Sequence, residues 1–360
     1  MDSHAYLEKE HDGFYFLNCP NLLNQYYVIS DPATSKLMAS PEVTGYDAYL
    51  SMVPPTVKAL NILKQKDNGG LGRVNILSIL RGALNYPVES ACHDCGILVS
   101  NISFMSCERV IVDNEITGLD VKYEKIHTED DCTLLIGDII ASGATLKLCF
   151  EHIVERFMQN GHRIRKIIFF TIGGTKAIDI MEDMTQKIRK VWPSFEGFQC
   201  VFYEGIFTVY SDNGVTGVNV PDIDFGWKGG AIAPEFRQYL IDYDYAPALL
   251  EKCIIYDGGA RRYEIGLHAE EVADYWKSLL AVADKTDFQA FVEEKAGYAI
   301  SANHDEWLKA AHLPVTGDYA TLHIRERVYL AKLLNQNLRE ICEKRLAQLK
   351  GDFKEFNDIL

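Results

Sequence analysis

Apolar positions recur along this chain in two rhythms. Short β-branched runs alternate with stretches in which apolar residues return every three or four positions. The runs RVNILSIL (73–80), CGILVSN (95–101), VKYEKIH (121–127), CTLLIGD (132–138), RKIIFFTI (165–172) and FQCVFYEGIF (198–207) predict strands. Between them, TLKLCFEHIVERFMQNG (145–161) and TKAIDIMEDMTQKIRKVW (175–192) predict helices. In the first, Leu146, Cys149, Phe150, Ile153, Val154 and Phe157 line one face, and Gly161 supplies a stop. The alternation of strand and helix predicts an α/β fold, a Rossmann-like parallel sheet with right-handed crossovers, flanked by helices.

The flanks read differently. Pro54 and Pro55 predict the opening of a helix through 55–66, closed by DNGG at 67–70. Beyond about residue 229 the strand rhythm stops. Val272, Trp276, Leu279 and Leu280 form one helical stripe, and Thr286 with Gln289 has the spacing of a capping box. Leu330, Leu334, Leu338, Ile341, Leu346 and Leu349 predict one long amphipathic helix. YDGGARRYE (256–264) reads as a solvated hairpin turn. The predicted organisation is an N-terminal extension (1–54), an α/β domain (55–228) and a mostly helical C-terminal region (229–360). That last region is expected to pack on the α/β core or on another subunit of a homo-oligomer.

Composition narrows the class of partner. Hydrophobic residues make up 48% and charged residues 24%, the balance of a soluble folded protein with a sizeable core. No apolar run approaches a membrane span, and the polar start MDSHAYLEKEHDG has no signal-peptide character, so a cytoplasmic protein is expected. The net charge of -15 repels polyanions at long range, which argues against nucleic acid or a membrane surface as partner. A small phosphorylated ligand is still allowed, because one loop and one arginine outweigh the global field locally. Nine scattered cysteines, with only Cys92 and Cys95 close together, read as reduced thiols and not as a zinc site.

The segment CTLLIGDIIASGATL (132–146) carries the chemistry. An apolar strand ends at Gly137 and Asp138, a short turn follows, and Ala141, Ser142, Gly143, Ala144 and Thr145 lead straight into a helix. Ligands of parallel α/β sheets lie beyond the carboxyl ends of the strands. A turn of small residues lets backbone N–H groups approach an anion, and the helix N-terminus adds about half a positive charge. The hydroxyls of Ser142 and Thr145 can donate to phosphate oxygens, and Asp138 can hold ribose hydroxyls or a magnesium ion.

These residues resemble the 5-phosphoribosyl-1-pyrophosphate motif of the type I phosphoribosyltransferases. That motif is a hydrophobic strand, an acidic pair, two hydrophobics and a small-residue loop. Gly137 replaces the first acid of the pair, and Ala141 stands where the hypoxanthine–guanine branch has a catalytic aspartate. NILSILRGALNYP (75–87) resembles the pyrophosphate loop of the same family, closest to the uracil phosphoribosyltransferase branch. There Leu80, Arg81, Gly82 and Ala83 would form the turn. VDNEITGLDVKYEKI (112–126) resembles the hairpin preceding the phosphate loop, without its arginine, although Arg109 lies close by. VNVPDIDFGWKGG (218–230) resembles the base-recognising loop, with Asp224 and Phe225 as the acceptor-binding residues.

The resemblance covers roughly 55–228. It implies a transferase that moves ribose 5-phosphate to a nucleobase-like nitrogen and releases pyrophosphate. In that reading Asp138 and Arg81 are the catalytic pair, Mg2+ is the cofactor with Asp138 as its protein ligand, and 141–145 cradle the 5-phosphate. No residue stands out as a general base. Two other readings stay open: a regulatory or structural protein that keeps the site without the chemistry, and an unrelated flavodoxin-like nucleotide binder.

Overall fold

A computed structural model describes residues 2, 4–67, 70–80, 84–112, 115–140, 143–209, 214–218, 225–243, 246–251 and 258–356. The chain begins with strands β1 (Tyr6–His11), β2 (Phe14–Asn18) and β3 (Gln25–Ile29), then helices α1 (Pro32–Ala39) and α2 (Gly45–Lys66). The alternating part follows: β4 (Val74–Leu80), α3 (Asn85–Asp94), β5 (Val99–Val112), β6 (Glu115–Lys125), β7 (Cys132–Ile140), α4 (Ala144–Gln159), β8 (Ile164–Gly174), α5 (Thr175–Val191) and β9 (Phe198–Val209). After β10 (Phe225–Ile232) the chain is helical: α6 (Pro234–Asp242), α7 (Gly258–Tyr263), α8 (Ile265–Val282), α9 (Phe288–Ala296), α10 (His304–Ala311), α11 (Ala320–Leu334) and α12 (Leu338–Asp352).

The strands join in one sheet in the order β1-β2-β3-β9-β8-β7-β4-β5-β6, with β10 pairing onto β9. From β3 to β5 the pairs are parallel, while β1, β2, β6 and β10 add antiparallel. The fold is α/β, with a parallel central sheet flanked by helices and a helical C-terminal region. Central strands covered on both faces must be apolar throughout. Accordingly Leu134, Leu135 and Ile136 of β7 and Ile167 to Phe170 of β8 are all buried. Among the described residues no helix is long and apolar enough to cross a membrane.

Several local expectations are corrected. Helix α2 starts at Gly45, so Pro54 and Pro55 lie inside it. Neither can donate an N–H, yet Met52, Ala59, Leu60 and Leu63 are buried along the same helix. That tertiary packing outweighs the lost hydrogen bonds. The run 95–101 is mostly a helix end, since Cys95 caps α3 and the strand begins at Val99. The first 54 residues supply three strands to the common sheet.

The region 256–264 is corrected as well, because 258–263 are helical and Arg261 is buried. Its guanidinium donates to the carbonyls of Leu37 at 2.9 Å, Val43 at 2.6 Å, and Ser40. The helix α9 is capped by Asp287, whose side chain accepts from Ala290 N, and not by Thr286. A capping box does occur at Asn303 and Glu306. The long terminal helix is two helices, because the Asn337 side chain accepts from the N–H groups of Arg339 and Glu340 and starts α12 afresh.

Candidate functional site

Strands β4 and β7 are hydrogen-bonded neighbours, with Leu77 opposite Ile136. Both run in the same direction, so their carboxyl ends, Leu80 and Ile140, reach the same sheet edge. The two turns singled out in the sequence leave from these adjacent ends. Arg81, Gly82, Ala83, Ala141 and Ser142 lie outside the described residues. Leu80 closes β4 half-buried, Asp138 lies near the end of β7, and Gly143 and Thr145 open α4. Ala144 is the first residue of α4.

Gly143 is the N-cap of α4, with φ of 70°. An added Cβ would fall deep inside contact distance of the Ile180 Cδ1 on α5 and 3.4 Å from Ile140 Cγ2. The left-handed backbone conformation therefore favours glycine here, and any side chain would have to displace the end of Ile180. The Gly143 carbonyl accepts from Lys147 N at 3.0 Å, which starts the helical ladder at once. Helix α4 thus begins at Ala144, shortly after β7 ends at Ile140, and a helix N-terminus is an environment that favours an anion.

Asp138 accepts a hydrogen bond from Ile139 N at 2.8 Å. Among the described residues no cation pairs with it. It keeps some solvent contact, yet the protein packed around its carboxyl pushes the pKa up to about 7, and the Ile139 N–H offsets only part of that. Its partner across the sheet is Thr171 of β8. Thr171 is fully buried, and its Oγ1 has no hydrogen-bond partner among the described residues. Gly173, two positions on, could not carry a side chain freely, since a Cβ would stand 3.0 Å from the Ile140 carbonyl oxygen and 3.1 Å from Thr171 Oγ1. The sheet around Asp138, Ile140 and Gly173 is therefore closely packed.

Asp224 lies outside the described residues. Phe225 opens β10, where its backbone pairs with Val209 at the carboxyl end of β9. Strand β9 runs parallel to β8 and β7, so Phe225 comes to the same sheet edge as Asp138, two strands away. Of the 112–126 segment, Val112 ends β5 and 115–125 form β6, the second strand of the β5–β6 hairpin, in which Arg109 pairs with Leu119. Strand β5 pairs with β4 only as far as Ser106 opposite Leu80, so the rest of the hairpin overhangs the edge that carries the two turns.

Two buried groups escaped the sequence reading. Thr171 gives no signal in an apolar strand. Glu204 does give one, a lone acid inside FQCVFYEGIF. It is fully buried with φ of 63° and accepts from Ser30 Oγ at 2.5 Å, Ser35 Oγ at 3.0 Å and Asp31 N at 3.0 Å. Burial pushes its pKa up to about 8. These contacts bind the start of α1 to β9 and give Glu204 a structural role.

No family model and no curated protein matches the sequence. Solved structures that resemble the chain include the AQ2163 protein from Aquifex aeolicus. It is 13% identical with a TM-score of 0.33, over 49% of this chain and 86% of that one. A hypoxanthine phosphoribosyltransferase from Staphylococcus aureus is 19% identical with a TM-score of 0.24, and the match spans 33% of this chain and 62% of that one. A purine phosphoribosyltransferase from Pyrococcus horikoshii is 19% identical with a TM-score of 0.25, over 34% of this chain and 71% of that one.

Proposed function

We propose that this chain binds 5-phosphoribosyl-1-pyrophosphate and transfers its phosphoribosyl group to a nucleobase-like nitrogen, releasing pyrophosphate. The observation that carries the reading is the convergence of the two motif-bearing strand ends, β4 and β7, at one sheet edge, with the Gly143-capped helix N-terminus beside them. In this reading 141–145 hold the 5-phosphate through backbone amides and the hydroxyls of Ser142 and Thr145. The turn Leu80, Arg81, Gly82, Ala83, which follows the uracil-branch pattern, holds pyrophosphate. Asp224 and Phe225 face the acceptor.

The transition state of such a transfer has oxocarbenium character, so the protein chiefly positions groups and neutralises charge on the departing pyrophosphate. Arg81 supplies a fork of donors to two phosphate oxygens. Asp138 orients the ribose. Among the described residues no three metal-binding side chains converge. Magnesium bound by one carboxylate and the substrate's own phosphates does not need such a cluster. Burial disfavours the Asp138 carboxylate, and among the described residues no cation offsets that cost, so a bound ion would do so and Asp138 would hold it in its ionised form. When bound, Mg2+ would neutralise charge on the pyrophosphate.

A second reading, binding without transfer, is favoured by two residues: Gly137 removes one of the family's acids and Ala141 removes a base. Pyrophosphate release from 5-phosphoribosyl-1-pyrophosphate and Mg2+, assayed with a panel of purine and pyrimidine bases, separates the two. Base-dependent release is the expected outcome. Tight binding with no release for any base would leave only the non-catalytic reading.

A further inference from the structure

Cys107 of β5 and Cys149 of α4 bring their sulfurs to 3.4 Å. Their places in the fold give this contact a consequence. Ser106 is the last residue of β5 paired to β4, so Cys107 is the first residue of the overhanging hairpin. The β5–β6 register also shifts between Ser106 and Cys107, a bulge that re-aims the side chain. Cys149 lies on α4, four residues after the candidate phosphate segment ends at Thr145, and is fully buried, whereas Cys107 is half-buried. The neighbouring strand β6 is already fastened to α4, because Glu124 meets His152 Nε2 at 2.5 Å and also the Arg156 guanidinium.

We propose that Cys107 and Cys149 form an oxidative cross-linking site, a disulfide that fastens the base of the β5–β6 hairpin to the helix bearing the phosphate turn. A disulfide is about 2.0 Å long, so the sulfurs must approach by about 1.4 Å. Cys107 and its partner sit on separate elements, a strand of the hairpin and the helix α4. A small shift of α4 against the hairpin brings them together without breaking the sheet.

The oxidant class is a hydroperoxide, with hydrogen peroxide as the simplest member. The Cys107 sulfur attacks one peroxide oxygen, an S–O bond forms, the O–O bond breaks, and water leaves, giving a sulfenic acid. The Cys149 sulfur then attacks Cys107 Sγ. The S–S bond forms, the S–OH bond breaks, and the Cys149 proton departs with the hydroxide as a second water. Two electrons pass from the two thiols to one peroxide. Cys149 is fully buried and Cys107 half-buried, so Cys107 meets the oxidant first and Cys149, in contact with it, resolves it.

The test treats the full chain with hydrogen peroxide, blocks remaining thiols with iodoacetamide after denaturation, and maps the peptides by mass spectrometry. Amide exchange of the 146–154 segment is followed in parallel. The expected result is a Cys107–Cys149 peptide pair, dissolved by dithiothreitol and absent in Cys107→Ser and in Cys149→Ala, with slower exchange in α4 after oxidation. The Cys107→Ser variant keeps the buried position intact and so guards against loss of fold. Recovery of both thiols alkylated, while the likewise half-buried Cys19 has been oxidised, would overturn the proposal. So would over-oxidation of Cys107 with Cys149 left free. None of these readouts involves a phosphoribosyl ligand, so the site stands or falls independently of the functional reading.

Discussion

Asp138 holds its proton to about pH 7 in the folded chain, whereas a carboxyl in an unfolded chain releases it near 3.9. Between those values the native state binds more protons, so stability falls as pH rises through that window. Asp138→Asn keeps the shape and removes the titration. The variant should be more stable than the parent at pH 8, by about 1–3 kcal/mol once solvent screening is allowed for, and nearly equal to it at pH 4. Urea unfolding at the two pH values checks this, and an Asn variant that is less stable at pH 8 would contradict the burial argument. Gly143 is a second residue with a definite expectation. Gly143→Ala meets both a left-handed φ and the Ile180 side chain, so a loss of about 2–3 kcal/mol is expected. Adding Ile180→Ala should recover the steric part, and a double-mutant cycle with no coupling would show that α5 does not press on the turn.

At the scale of elements, the C-terminal helices are held to the N-terminal segment by buried charge. Arg345 of α12 has no exposed surface and meets Glu251 at 2.5 Å and Glu42 at 2.6 Å. Replacing it by methionine strands buried carboxylates, for which about 3–5 kcal/mol is typical. Thermal unfolding of Arg345→Met should show that loss, and a shift near zero would mean that the helices are held by apolar packing alone. The turn after β4 carries its own expectation. Arg81→Ala should weaken 5-phosphoribosyl-1-pyrophosphate by about 1.5–3 kcal/mol and leave ribose 5-phosphate nearly unchanged, since only the former has the pyrophosphate. Equal losses for both ligands in a folded variant would place Arg81 elsewhere.

Elements were legible in the sequence where their period was strong. The helices of 145–161 and 175–192 and the strands of β4, β7, β8 and β9 stand within a few residues of their predicted places. The misses share one physical cause, that tertiary contacts override local signals. Pro54 and Pro55 mark a helix start only when nothing packs around them, and here α2 is buried along its length. Arg261 and Arg262 look solvated in isolation, but the Arg261 guanidinium finds three carbonyls 218 or more residues away in sequence. At the candidate site, Asp138 and Gly143 stand near the strand end and at the helix start where the sequence pattern places them. The rise in the Asp138 pKa and the buried Thr171 beside it depend on neighbouring strands that no local pattern reveals.

For the whole molecule, the sheet order decides what the site can be. Strands β4 and β7 are distant in sequence and adjacent in space, so two separate turns share one edge, and β9 with β10 brings a third segment to it. In the proposed reading, a chain of net charge -15 binds its anionic ligand at this one edge. The measurement that bears most directly on this account is calorimetric titration of 5-phosphoribosyl-1-pyrophosphate, with Mg2+ present, into the parent chain and into the Ser142→Ala/Thr145→Ala double variant. Loss of two hydrogen bonds to phosphate should weaken binding by about 2 kcal/mol or more, near thirtyfold. Equal affinity in a double variant shown to be folded would contradict the placement of the 5-phosphate at the start of α4.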